Sequence, residues 1–362
     1  MSMITRVDKE NKFVSMFNTE TGFYVRTGII DNGKDTGIDP FMASYPELID
    51  VGIMGSCIHG KSGLCVKAGV ECYQNGLGKT EPNMSLETFK KIVDQSKGNS
   101  FQFALGGRGD VNKHESFAEI MSYCRENGIA PNYTTSGLGL TKKEVEITKE
   151  FAGSVAVSFY RQSHTYRALQ MFIDAGISTN IHYVLGNNSI DEAIERLKNN
   201  DFPKGINAVV FLLHKPVGLG SEANVLKVDD PKVAEFYSII DQMNFDFQIG
   251  FDSCNMAGLV NFNKNINMDS TDACEASRYS CYITPDNKLL PCSFDNQKER
   301  WAIDLNTHSI EEGWNSDLFN QFRNHLRYSC GGCKQRELCM GGCPVVNQIT
   351  LCNREEKNIF NV

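Results

Sequence analysis

Five cysteines fall between Cys330 and Cys352, spaced Cys-x2-Cys-x5-Cys-x3-Cys-x8-Cys. Thiols this dense either cross-link or hold metal. Cys274, Cys281 and Cys292 lie just upstream and raise the set to eight, the number that two four-thiolate centres need. A pair of zinc ribbons uses the same Cys-x2-Cys knuckles, so the spacing alone leaves iron–sulfur and zinc open.

The rest of the composition narrows the setting. The chain has 362 residues, 41% hydrophobic and 22% charged, which suits one large core with a smaller domain beside it. Its net charge of -8 argues against a broad nucleic-acid surface. No apolar run approaches the roughly 18–20 residues of a membrane helix, and the first residues lack an apolar signal core. The expectation is a cytoplasmic protein without a membrane partner. Thirteen cysteines in that compartment mean metal or redox chemistry, not a disulfide scaffold.

Read in order, the chain starts with a hairpin, Phe13 to Phe17 and Phe23 to Ile30, followed by a Gly- and Asp-rich loop. From residue 47 strands and helices alternate. Apolar runs at 48–54, 101–105, 129–135, 154–159, 178–185, 206–213 and 247–251 are separated by segments of 3.6-residue period. Ser85 is placed to cap the first of these helices. Such alternation predicts an α/β fold with a parallel sheet curved into a full or partial barrel, whose chemistry gathers at the C-terminal strand ends.

After the first of these strands comes a loop with Cys57, Cys65 and Cys72, spaced Cys-x7-Cys-x6-Cys. Gly106-Gly107-Arg108-Gly109-Asp110 follows the second strand, and Thr134-Thr135-Ser136-Gly137 the third. Ser158 ends the fourth, with Arg161 and Arg167 beyond, and Val184 lies on the fifth. Glycines at these places also suit plain turns. Gly55-x4-Gly60-Lys61-Ser62 matches the phosphate-binding P-loop pattern after a strand, so nucleotide binding is a competing reading. His59 is a further candidate ligand or a solvated loop histidine. Cys124, on an amphipathic helix, reads as core.

Taken together, these motifs resemble radical S-adenosylmethionine enzymes with a C-terminal SPASM domain. The resemblance implies a partial (β/α)6 barrel over 46–252, a Cys-rich SPASM domain over 253–362, and an N-terminal hairpin and linker over 1–45. In the family, three cysteines after the first strand hold a [4Fe-4S] cluster that cleaves S-adenosylmethionine, usually with the tighter spacing Cys-x3-Cys-x2-Cys. Here Cys57, Cys65 and Cys72 take that role, and Tyr73 the adenine-side aromatic. Gly106 and Gly107 correspond to the motif that holds the methionine amino group, although Arg108 replaces its glutamate. Ser158 corresponds to the ribose-binding serine, Arg167 to a carboxylate partner and Val184 to the adenine wall. The family's arrangement puts one auxiliary cluster on Cys274, Cys281, Cys292 and Cys343, and a second on Cys330, Cys333, Cys339 and Cys352. Asn287 stands where the family has a turn glycine. The implied activity is hydrogen abstraction from a peptide or protein, giving an oxidised or crosslinked product with three [4Fe-4S] clusters and a flavodoxin- or ferredoxin-type electron donor. A sulfatase-maturase-like enzyme, or one acting on a nucleotide or other small molecule, is an alternative, as is an iron–sulfur electron carrier. Cys254 and Asp295 are candidate catalytic groups, Cys254 also reading as an inert buried thiol.

Overall fold

In each parallel strand, alternate residues meet two different environments, and this organises the molecule. The computed structural model describes residues 3–67, 69–265, 267, 270–328, 330 and 332–352, without the side chains at 61, 62, 64 and 66. The first strands are β1 (Met3–Asp8), β2 (Phe13–Asn18) and β3 (Tyr24–Arg26), which form an antiparallel sheet, and the small pair β4 (Ile30–Asp31) and β5 (Lys34–Asp35). The expected hairpin is therefore three-stranded. Its second arm is shorter than 23–30, because Gly28 and the Asp31–Gly33 turn redirect the chain.

The parallel series runs β6 (Leu48–Met54), β7 (Gln102–Gly107), β8 (Ala130–Thr135), β9 (Val155–Ser158), β10 (Thr179–Leu185), β11 (Ala208–Leu213) and β12 (Gln248–Phe251). Two short helices, α1 (Ile58–Ser62) and α2 (Leu64–Lys67), occupy the loop after β6. The crossovers are α3 (Leu86–Ser96), α4 (Phe117–Glu126), α5 (Lys142–Phe151), α6 (Ser163–Asp174), α7 (Ile190–Asn199) and α8 (Pro231–Gln242). Six strand–helix units are thus followed by a seventh strand, β12. Ser85 caps α3 by accepting from the Thr88 N–H, and Thr141 with Glu144 forms a capping box on α5.

Residues Ile49, Val51, Phe103, Leu105, Tyr133, Val157, Ile181, Tyr183, Val209 and Phe211 point outward under the helices and are almost fully buried. Their neighbours Asp50, Gln102, Asn132, Thr134, Asn180 and His182 line the lumen and stay partly accessible. A parallel sheet covered on one face and hollow on the other shows this alternation, where one covered on both faces reads as continuous apolar runs.

The C-terminal part consists of α9 (Met256–Phe262), β13 (Ser280–Ile283), β14 (Lys288–Leu290), β15 (Ile303–Asp304), α10 (Ile310–Trp314), α11 (Asp317–Tyr328) and α12 (Arg336–Cys339). β13 pairs in parallel with β6, so the hairpin prolongs the barrel sheet to ten strands. Asn287 adopts φ 64, the left-handed turn position that asparagine tolerates. Residues 40–47 are clamped between the two parts. Arg278 donates to the Phe41 carbonyl at 2.7 Å and Trp314 to that of Ala43 at 3.0 Å. Among the described residues no helix is long and apolar enough to cross a membrane.

Candidate iron–sulfur and S-adenosylmethionine site

Cys57, Cys65 and Cys72 all line one small cavity, together with His59, Gly60 and Gly76. The cavity lies beyond the C-terminal end of β6. Cys57 stands at the N-cap of α1, and the His59 and Gly60 N–H groups face its sulfur. Burial nonetheless pushes the Cys57 and Cys65 thiols above their usual range, and the neighbouring sulfurs add to this. Gly76 keeps room between the thiols, since a Cβ there would meet the Cys57 Cβ at 3.1 Å and the Cys72 Sγ at 3.6 Å. All three cysteines are free.

Three sulfurs around one space, with burial opposing ionisation of the Cys57 and Cys65 thiols, suit a positively charged metal centre, which stabilises thiolates. The wide spacing is thus absorbed by α1 and α2, which fold the longer loop back on itself.

Side chains from neighbouring strand ends hold this loop. His59 Nε2 lies 2.7 Å from Asp110 Oδ2, and Ser136 donates to the same oxygen at 2.6 Å. His59 is thereby engaged by a carboxylate. Arg108 turns away from the lumen, pairs with Glu81 at 2.6 Å and donates to the Gln74 carbonyl at 3.2 Å. This explains an arginine where the resemblance expects glutamate: it buttresses the Cys72-Tyr73-Gln74 segment. Tyr160, just beyond β9, has its hydroxyl 3.6 Å from the Cys65 sulfur. Asp110, Ser136 and Tyr160 had no role in the sequence reading. Their signal there is only their position at strand ends.

The P-loop reading does not match the local geometry. A phosphate-binding loop opens a long helix at its lysine. Here 60–62 close the five-residue α1, and Gly63 with φ 65 ends it. Gly60 is pressed against the Gly76 carbonyl, where a Cβ would lie at 2.3 Å.

Along the mouth, Gly106 faces open space and Gly107 has φ 114. Ser158 closes β9 on its lumen side, and Val184 is 37% exposed on the lumen face of β10. The Tyr73 ring lies 4.8 Å from that of Phe294. Arg167 sits in the outer layer, on α6, and its Nη2 donates to the Leu140 carbonyl at 3.0 Å. Arg161 is likewise committed outward, pairing with Glu192 at 2.6 Å and lying over the Tyr183 ring. Neither arginine joins the lumen, because both follow the strand end into the helical layer.

Of the four cysteines expected to hold one auxiliary cluster, Cys281 is buried, and Cys274, Cys292 and Cys343 are half-buried. Cys254 lies in the turn after β12, where interaction with Cys343 and burial push its thiol well above the usual range. Cys254 and Cys274 both act electrostatically on Cys292. Cys281 lies elsewhere: it pairs in register with Ile49 on β6 and so shares its outward face. There it is 2% exposed, with Arg323 beside it. The two-residue side-chain period of the strand turns Cys281 to that face. Cys124 is fully buried in α4, as expected for core.

Asp295, 1% exposed, accepts from Arg300 at 3.2 Å and from the Trp301 N–H at 3.4 Å. These bonds brace its own turn. In the last cysteine segment, Cys330 and Cys333 are joined by a backbone turn, the Cys330 thiol reaches toward the Gly341 carbonyl, and Cys339 ends α12. Cys352 follows the short turn Asn347–Ile349.

Comparison with known proteins agrees with this architecture. Residues 274–339 match the SPASM family, an iron–sulfur cluster-binding domain. No curated protein matches the sequence. Among solved structures, Streptococcus suis SuiB bound to precursor peptide SuiA aligns over 97% of this chain and 98% of its own, with TM-score 0.69 and 13% identity. SuiB bound to S-adenosylmethionine aligns over 94% and 96%, with TM-score 0.67 and 14% identity. Native anSMEcpe with bound AdoMet covers 84% of this chain and 91% of its own, with TM-score 0.60 and 17% identity. The chain therefore has the fold of these S-adenosylmethionine-binding structures, a partial (β/α)6 barrel, and its residues 274–339 are similar to the SPASM iron–sulfur cluster-binding domain.

Proposed function

We propose that this chain is a radical S-adenosylmethionine enzyme that modifies a peptide or protein. The observation that carries the reading is the convergence of Cys57, Cys65 and Cys72 on one cavity at the mouth of a barrel joined to a SPASM domain. A [4Fe-4S] cluster bound there supplies the electron that cleaves the sulfonium of S-adenosylmethionine. The chain's own residues position that molecule. Gly106 and Gly107 bring bare backbone to its amino group, Tyr73 and Val184 flank its adenine, and Ser158 takes its ribose. Arg167 is left out of this set because Leu140 holds it.

The eight remaining ligands divide into Cys254, Cys274, Cys292 and Cys343, and Cys330, Cys333, Cys339 and Cys352. Cys281 is left out of this proposed set because it shares the outward face of Ile49. With the first site this makes three clusters, fed by a flavodoxin- or ferredoxin-type donor. The barrel spans 46–252 and the cluster domain 253–362, with the N-terminal sheet and linker over 1–45. A peptide substrate is supported by the likeness to SuiB bound to SuiA and to anSMEcpe with AdoMet and the Cp18Cys peptide.

The test is anaerobic reconstitution with iron and sulfide, followed by iron counting and an assay for 5′-deoxyadenosine under dithionite. The expected content is about twelve irons, from three four-iron clusters. Changing Cys57, Cys65 and Cys72 together to Ala should remove about four irons and all cleavage. A protein that fills with iron yet forms no 5′-deoxyadenosine overturns the enzyme reading in favour of an electron carrier.

A further inference from the structure

The cysteine loop leaves β6, yet its last stretch is fastened across the barrel mouth, at the ends of β10 and β11. Asn188, just beyond β10, donates from its Nδ2 to the Gly69 carbonyl at 3.3 Å. Ser221, beyond β11, meets Glu71 twice. Its N–H donates to Oε2 at 2.8 Å and its hydroxyl to Oε1 at 2.9 Å. The Leu219 N–H donates to the Cys72 carbonyl at 3.0 Å. Gly218, at φ 64, lies so close that a Cβ would stand 2.3 Å from the Tyr73 carbonyl oxygen and 2.8 Å from that of Cys72.

The receiving side is a buried network. His214 is 3% exposed, with its Nε2 3.1 Å from the Ser221 carbonyl and 3.4 Å from Glu71 Oε2. Its Nδ1 lies 3.3 Å from Asn224 Nδ2. An amide nitrogen only donates, so Nδ1 accepts there and Nε2 carries the proton toward Ser221. Asn224 is buried too, and its Oδ1 accepts from the Asn188 N–H at 2.9 Å. One set of contacts thus joins the ends of β10 and β11 to Gly69 and Glu71. Both of these lie between Cys65 and Cys72, so the long second interval supplies the anchor points. Leu219, with Val70 and Leu77, lines the same cavity as the three cysteines.

We propose that Glu71, Ser221 and His214 form a latch that positions Cys72. The latch holds the third cysteine against the end of β11 and sets Leu219 as an apolar wall of the cavity. All three are positioning residues, acting on the site only through the main chain of Cys72. A carboxylate that accepts two hydrogen bonds from one residue holds more firmly than a neutral pair, and it fixes direction as well. A loop stays ordered only while such contacts outweigh its conformational entropy, so opening the latch lets Cys72 leave the other two thiols. The inference rests on the cluster site proposed above for Cys57, Cys65 and Cys72.

The experiment uses the reconstituted full-length protein under anaerobic conditions. Iron release into excess EDTA is followed and compared with a chain in which Cys57, Cys65 and Cys72 are Ala, whose iron is auxiliary only. In S221A the first-site iron should leave about tenfold faster, the change expected for one lost hydrogen bond to a charged group. The auxiliary iron should keep its parent rate. S221T, which retains the hydroxyl, should return first-site release close to the parent. Trypsin gives a second readout. Lys67 closes α2, so a cut after it requires the loop to open, and S221A should be cut there about tenfold faster. Equal release in S221A and parent, or one common acceleration at every site, overturns the proposal, and so does an S221T that behaves like S221A. A parent that holds no iron at Cys57, Cys65 and Cys72 overturns the cluster site instead. Trypsin then reads the latch alone, and unchanged cleavage in S221A refutes it. Should S221A prove insoluble, E71Q is read by the same two measures, and rates equal to the parent refute the latch.

Discussion

Cys254 and Cys281 show how little a cysteine's spacing says about its role. Cys281 sits at an ordinary interval within the cysteine-rich part, but strand alternation turns it outward beside Ile49. Cys254 lies 20 residues before Cys274, in the turn after β12, and is proposed above as a ligand in place of Cys281. C281A should keep every iron and cost about 1–2 kcal/mol of stability, the scale of a small core truncation. C254A should lose about four irons. Iron counting beside a denaturant titration checks both. Asp50 makes a second prediction. Burial in the lumen raises its carboxyl from 3.8 to about 7. Because the folded value lies above the unfolded one, its stabilising contribution is complete below about pH 4 and is lost as pH rises through about 7. Between roughly pH 5 and 8 the wild type should lose about 2–4 kcal/mol relative to D50N. Parallel pH profiles of the two proteins would refute this.

At the scale of elements, the loop between β6 and α3 is the decisive piece. Its spacing alone left three readings open: cluster loop, P-loop or histidine-assisted site. Packing separates them, since α1 ends where a P-loop helix starts and His59 is taken by Asp110. D110N should weaken this tether by about 1–3 kcal/mol, because it leaves buried partners poorly matched. The expected readout is faster proteolysis within 57–72 and a lower iron content at the first site, with the auxiliary signals intact. The two strand-end glycines also part company. Gly107 combines φ 114 with a Cβ position 2.4 Å from the Met54 carbonyl, so G107A should fail to fold stably. Gly106 faces open space, so G106A should fold within about 1 kcal/mol of wild type and weaken S-adenosylmethionine binding instead. Calorimetry of the two variants checks the contrast.

Across the whole molecule, the cluster domain is not an appendage. β13 covers the edge of β6, the strand that leads into the cysteine loop. Arg278 and Trp314 fasten 40–47 from the other side. A chain truncated after residue 252 would bare the backbone donors and acceptors of β6, a template for intermolecular pairing. It should aggregate on gel filtration where the full chain does not. Much of this architecture was legible in advance. Alternating apolar runs marked the seven parallel strands, and the cysteine rhythm of 330–352 marked the metal-binding end, because periodicity and ligand spacing are local properties of a chain. The third strand in the N-terminal sheet, the outward turn of Cys281, the arrival of Cys254 and the commitment of Arg167 and Asp295 to packing were not. Each depends on which face of an element meets which neighbour across tens or hundreds of residues, and that is settled only when the strands pair and the helices close over them.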